Sequence, residues 1–342
     1  MPPWSPPPRP QHLPRPGGPG LPPPSDPTER DRLSVHLIWE GVLAFITIAL
    51  MIGTAVMTPH ENLTNALAQA GYLGLVAAGL AFSLRTGSPN LAIGTIVGFS
   101  SALAAYLITE QQWGEPAAFL VAISLATLIG LVLGLIVAVL SVPAWAVTLG
   151  AVAVIQAIVF SFADNPIIPV RFAGAYPTAM WYAVFVVVSV GGGALWLVPG
   201  IRRPLSALRD PGDPARWTGP RTGVGAVAGL TGSSFLAGLA AVPLVMRLQA
   251  AETNGANLTT LALAAVLLGG VSVFGRRGGV FGTLLGVTIV AMTQNLVSYN
   301  NGPLWVFNLV IGLAALLGIG ANRALESVTD MLNRSRPAAK TR

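Results

Sequence analysis

The chain has no cysteine, a single lysine, three histidines and few charges of any kind: 19 Lys+Arg and 13 Asp+Glu among 342 residues. That is 9% charged residues, against roughly 25% in soluble domains. Without cysteine there is no disulfide framework, thiolate metal site, iron–sulfur cluster or thiol nucleophile. The only lysine, Lys340, follows Ala338 and Ala339. A P-loop ends in Gly-Lys-Ser/Thr, with the lysine reaching the phosphates, so the chain holds no ATP site of that type and is not read as an enzyme. It contains neither a catalytic triad nor a zincin helix, which argues against hydrolytic chemistry. None of His12, His36 and His60 falls in an apolar stretch, and Glu40 is the only carboxylate that does. A proton-coupled carrier therefore lacks its usual ionisable parts, whereas sodium coupling through carbonyls and hydroxyls stays open.

What the chain does have is apolar surface. With 53% hydrophobic residues and a mean hydropathy of +0.68, it is an integral membrane protein with the lipid bilayer as its solvent. Residues 1–36 hold thirteen of the 28 prolines, including Pro6–Pro8 and Pro22–Pro24, and read as a disordered cytoplasmic tail of polyproline-II type. Apolar stretches then follow at 37–57, 63–84, 90–109, 117–140, 143–163, 180–198, 223–245, 258–275, 279–297 and 303–320, with 321–342 as a C-terminal cytoplasmic tail. The pattern predicts an all-α, polytopic bundle of about ten membrane-spanning or broken helices. The stretches at 90, 258 and 279 are short and Gly-rich, which predicts broken or tilted helices there.

A net charge of +6 and a pI near 10.5 suggest nucleic acid in a soluble protein, but here they report orientation, and no nucleic-acid partner is expected. With both tails in the cytoplasm, seventeen of the nineteen basic residues lie inside, and only Arg171 and Arg247 lie outside. Trp39, Trp113, Trp181, Trp196 and Trp305 all stand near span ends, where indole rings favour the interface. A shift of five relates spans two to five to spans seven to ten in opposite orientation, the layout of an inverted repeat.

Small residues four apart, among them Gly94/Gly98, Gly130/Gly134, Gly225/Gly229 and Gly278/Gly282/Gly286, predict close helix packing. Glu40, one turn into the first span, reads as an interfacial carboxylate reaching cytoplasmic water. The remaining polar side chains in the spans are neutral, including Asn65, Gln69, Ser100, Ser101, Thr148, Gln156, Gln294, Asn295 and Asn308. They suit a neutral, hydrogen-bonding solute and equally suit interhelical hydrogen bonds.

Two motifs carry a resemblance. Pro143-Ala144-Trp145-Ala146-Val147-Thr148-Leu149-Gly150 follows a Gly-rich span. Ala264-Ala265-Val266 leads into Gly269-Gly270, Ser272, Phe274-Gly275, Gly278, Gly282-Thr283 and Gly286. In order and spacing, residues 63 to 320 resemble the ribose/xylose/galactose-type permeases of bacterial ABC importers, relatives of branched-chain amino acid and nucleoside permeases. The resemblance implies a permease subunit in the bacterial inner membrane that imports a small polar solute, in first place a monosaccharide, by alternating access. It implies a second, identical permease subunit, two cytoplasmic ATPase subunits that bind the ATP, and an extracytoplasmic solute-binding protein. No cofactor or metal is expected in this chain.

The candidate pathway residues are Asn65, Gln69, Asn90, Thr148, Gln294 and Asn295. Two departures from the family pattern matter. Ser88-Pro89-Asn90-Leu91-Ala92-Ile93-Gly94 has Asn90 where the sugar permeases carry Asp, which leaves nucleosides or branched-chain amino acids as alternatives, with a sodium-coupled carrier as the other class. Residues 210–219 stand where the ATPase-docking element belongs. Asp213, Ala215, Arg216, Trp217 and Gly219 are its candidates, with Pro211 and Pro214 shortening any helix or starting it at Pro214.

Overall fold

The computed structural model describes residues 33–163, 165–172, 177, 179–198, 200, 201, 205, 208, 209, 217, 218, 223–272 and 280–334. Each apolar stretch carries one helix: α1 (Leu33–Met57), α2 (His60–Arg85), α3 (Ile93–Thr109), α4 (Glu115–Leu140), α5 (Ala144–Phe162), α6 (Met180–Leu195), α7 (Val224–Leu248), α8 (Ala256–Leu268), α9 (Gly282–Tyr299) and α10 (Leu304–Arg334). Among the described residues, α1, α2, α4, α5 and α7 are long and apolar enough to cross a membrane, while α3, α6, α8 and the Trp305–Ala321 part of α10 are shorter apolar helices. The chain is a multi-pass helical membrane protein.

Several boundaries follow from local chemistry. Pro59 and Pro143 sit at the N-caps of α2 and α5, and Pro116 lies in the first turn of α4, where the missing N–H costs no intrahelical bond. The stretch expected at 90–109 becomes helical only at Ile93, because Pro89 has no N–H to give and Ser88 and Asn90 favour turns. The stretch expected at 258–275 stops at Leu268. Gly269 caps the helix, and Gly270 takes φ +80°, a left-handed conformation that suits glycine. At the other extreme α10 runs to Arg334, beyond the apolar pattern and into the expected C-terminal tail.

Among the described residues, four short strands not expected from the sequence join the connections. β1 (Ile167–Pro169) pairs antiparallel with β4 (Ala250–Glu252), tying the segment after α5 to the segment after α7. β2 (Leu208–Arg209) pairs with β3 (Trp217–Thr218), placing Trp217 opposite Arg209. A helix starting at Pro214 thus does not extend to Trp217, which is in extended backbone. Asp213, Ala215, Arg216 and Gly219 lie outside the described residues, as does Gly278.

α2 is the central helix. In its apolar window 83% is buried, against 22% for α1 and 17% for α5, and it packs against α6, α7, α8 and α9. A helix that is apolar on every face needs such a position. Adding five to the labels of α2–α5 gives α7–α10, and the packing pairs transform the same way: α2–α9 into α7–α4, α2–α8 into α7–α3, α3–α4 into α8–α9, and α3–α5 into α8–α10. That exchange of partners is the signature of two repeated four-helix blocks.

Glycines mark where backbones meet. Gly94 and Gly98 of α3 lie against Gly255, Gly134 of α4 against Val227, and Gly282 and Gly286 of α9 against Gly269 and Ala265 at the end of α8. A Cβ on Gly282 would collide with the Gly269 carbonyl oxygen, which is backbone and has little room to yield. Gly282→Leu is therefore expected to destabilise the protein by at least about 1–3 kcal/mol, the usual cost of overpacking. Thermal unfolding of the purified variant in nanodiscs measures this, and an unchanged melting temperature would refute the tight crossing.

Candidate functional site

The first polar assembly lies where α2 ends and α3 begins. α3 has no side-chain cap of its own at Ala92, so its leading N–H groups need partners that lipid cannot provide. Three elements provide them. The Leu91 N–H donates to Thr148 Oγ1 of α5 (3.2 Å), the Ala92 N–H to Asn90 Oδ1 (3.2 Å), and the Gly94 N–H to Thr259 Oγ1 of α8 (3.0 Å). Asn90 is fully buried. Its Nδ2 donates to Ser233 Oγ (3.1 Å) and Ser234 Oγ (3.3 Å) of α7, and its own N–H donates to Ser83 Oγ of α2 (3.1 Å). Asn90 and Thr148 are thus brought to one junction, where their polar atoms are occupied by protein. Ser83, Ser233, Ser234 and Thr259 complete it and were not singled out from sequence, since hydroxyls are common in membrane helices and only the fold shows which of them meet.

The second assembly joins α2 to α9. Gln69 Nε2 donates to Gln294 Oε1 at 2.6 Å. Gln294 is 2% exposed, and its Nε2 has no partner among the described residues. Asn295 is also buried, with Oδ1 unpartnered in the same sense. Asn65, one turn before Gln69, is exposed. Of the six candidate residues, Gln69 and Gln294 are joined across α2 and α9, Asn90 and Thr148 meet at the α2–α3 junction, and Asn65 and Asn295 share no side-chain hydrogen bond with any of the others. Further along α9, Thr288 Oγ1 lies 3.0 Å from the hydroxyl of Tyr182 of α6. A cavity of about 260 Å³ opens between α2, α6, α7 and the start of α9, with Arg85, Ser189 and Thr283 among its lining.

Glu40 corrects the sequence reading. It is 5% exposed and does not reach water: its Oε1 accepts the N–H groups of Phe281 (2.7 Å) and Gly282 (2.8 Å) at the start of α9. Arg85, buried at the end of α2, lies close enough to interact with it electrostatically. Burial of the carboxylate is offset by charge-assisted bonds and by the positive end of the α9 dipole. Among the described residues no cluster of three His, Asp or Glu could hold a metal ion.

Residues 62–318 match the model of the branched-chain amino acid transport system / permease component family. The chain belongs to this family. Similar curated proteins include the ribose import permease RbsC of Haemophilus influenzae, 26% identical over 69% of this chain and 76% of that protein. The fructose import permease FrcC of Rhizobium meliloti is 24% identical over 84% of each chain. The autoinducer 2 import system permease LsrC of Escherichia coli strain HS is 24% identical over 75% of this chain and 77% of its own length. No solved structure matches.

Asn90→Ala would strand the Ala92 N–H and the two serine hydroxyls. The expected loss is about 1–3 kcal/mol of stability, the cost of leaving buried hydrogen-bonding groups unsatisfied. Chemical or thermal unfolding of the variant checks it; a loss below that range would mean that the junction relaxes around the gap.

Proposed function

We propose that this chain is the membrane permease of an ABC importer for a small neutral, hydroxyl-rich solute, a monosaccharide first. The supporting observation is the bond from the half-buried amide of Gln69 to the buried Gln294, with donor and acceptor capacity left over on Gln294 and Asn295 among the described residues. Free amide N–H and C=O groups match sugar hydroxyls, which both donate and accept. An amino acid brings an ammonium and a carboxylate that want countercharges, and none of Gln69, Gln294 and Asn295 carries one. The relatives named for ribose and fructose import support the same solute class. On this reading Asn65 and Gln69 line the outer approach, and Gln294 and Asn295 grip the solute from α9.

Energy comes from separate ATPase subunits, which bind the ATP, and solute is delivered by an extracytoplasmic binding protein. Two identical permease chains form the translocating unit. Both termini face the cytoplasm, in keeping with the charge split, and 202–221 meets the ATPase. There Trp217 is the apolar anchor, and Asp213, Ala215, Arg216 and Gly219 surround it in sequence.

Reconstituted with its ATPase and binding protein, the complex is expected to accumulate labelled D-ribose or D-fructose in proteoliposomes only when ATP is supplied on the cytoplasmic side. Gln294→Ala should lower uptake at least about tenfold, the effect of one lost hydrogen bond of 1.4 kcal/mol, while leaving assembly intact. Uptake driven by a sodium gradient without the ATPase would overturn the importer reading. Because the chain has no native cysteine, orientation is checked by labelling Asn301→Cys with an impermeant maleimide. Modification is expected from the outside only, and modification from the cytoplasm alone would reverse the topology.

A further inference from the structure

α1 is a peripheral helix: 22% of its apolar window is buried, and it packs chiefly on α9. Yet it carries the buried carboxylate of Glu40, a costly group in a membrane helix. Its two consecutive residues Trp39 and Glu40 hold different helices. The Trp39 indole Nε1–H donates to the carbonyl oxygen of Leu268, the last residue of α8, at 2.9 Å. Glu40 Oε1 accepts from the N–H groups of Phe281 and Gly282, the first of α9, at 2.7 and 2.8 Å. A helix C-terminus needs a donor and a helix N-terminus an acceptor, favourably an anion, and each side chain matches its end. The N-cap position of α9 is Phe281, with no side-chain cap, so local sequence does not supply what Glu40 supplies. Gly269 and Gly282 are already in backbone contact, so the two helix ends are cinched together beneath the clasp.

We infer that Trp39 and Glu40 are positioning residues for transport, a two-residue clasp through which α1, α8 and α9 move as one body. This rests on the importer reading. Any relative displacement of α1 and the α8–α9 junction must break three hydrogen bonds, two of them to an ionised group. Gln294 and Asn295 lie further along α9, so the clasp sets the position of the solute-gripping helix from a distance and touches no solute itself.

The test uses the full complex with its ATPase and binding protein in proteoliposomes, reading labelled D-ribose or D-fructose uptake and ATP hydrolysis in the same vesicles. Amide exchange at Phe281 and Gly282 is followed by mass spectrometry. Glu40→Ala is expected to lower solute moved per ATP hydrolysed at least about tenfold and to speed exchange at both amides by a similar factor, the effect of losing charge-assisted bonds. Glu40→Gln, whose amide oxygen still accepts, should recover part of both, and Phe45→Ala on the exposed face of α1 should leave both unchanged. Trp39→Phe keeps the ring and loses only the N–H, so it tests the clasp if Glu40→Ala fails to assemble; it should lower the same ratio. A wild-type ratio in Glu40→Ala would overturn the positioning role, as would equal losses of uptake and hydrolysis with a lowered melting temperature. Unchanged exchange would overturn the clasp itself. Failure of the wild-type complex to move either sugar would count against the importer reading instead, with exchange still judging the clasp.

Discussion

Wherever a helix stops inside a membrane bundle, its terminal N–H and C=O groups must find protein partners, because hydrocarbon offers none. That requirement organises the structure. Neither α3 nor α9 begins with a side-chain cap of its own. The N–H groups at the start of α3 are taken by Asn90, by Thr148 of α5 and by Thr259 of α8; those at the start of α9 are taken by Glu40 of α1. Each cap brought in from another helix fixes a tertiary neighbour as well as a helix end. The junctions therefore tie helices distant in sequence at the places where secondary structure is weakest.

Close approach makes such caps geometrically available. Side chains as short as threonine and asparagine bridge two helices only if the backbones nearly touch, and the glycines at 94, 98, 255, 269 and 282 permit this. The same helix packing pairs recur in the two four-helix blocks, which meet through α3 against α8 and α2 against α7. Packing and polar satisfaction are consequently one arrangement: a larger residue at a crossing separates the partners of a hydrogen bond as well as the helices.

Polar groups divide by what is left unsatisfied. At the α2–α3 junction Asn90 and Thr148 are bonded to other protein groups, which suits a fixed hinge or anchor. On α9, Gln294 and Asn295 are buried and retain atoms without a partner among the described residues, the capacity on which the proposed solute contact rests. Glu40 lies near Arg85 at the other end of α9, and Arg247 lies over the ring of Tyr72, three residues after Gln69 on α2.

Although the stretch at 279, expected short, forms the 18-residue α9, the ten helices among the described residues, their apolar character and the shortening of α3 and α8 were legible in the sequence, because bilayer thickness and the chemistry of proline and glycine act locally. So was the repeat of four helices, as an odd shift in the span order. The role of Glu40 was not: position along α1 suggests water, whereas the three-dimensional arrangement sets the start of α9 beside it. Nor did sequence distinguish Asn90 and Thr148, whose polar atoms are bonded to protein, from Gln294, whose Nε2 has no partner among the described residues, since neutral polar side chains look alike in sequence. Ser233, Ser234 and Thr259 acquired their importance only from the helices that face them. How many helices form is settled by local sequence, since that depends on contacts within a few residues. Which polar groups are spent on other protein groups and which remain free was decided by the tertiary structure, because their partners lie on other helices.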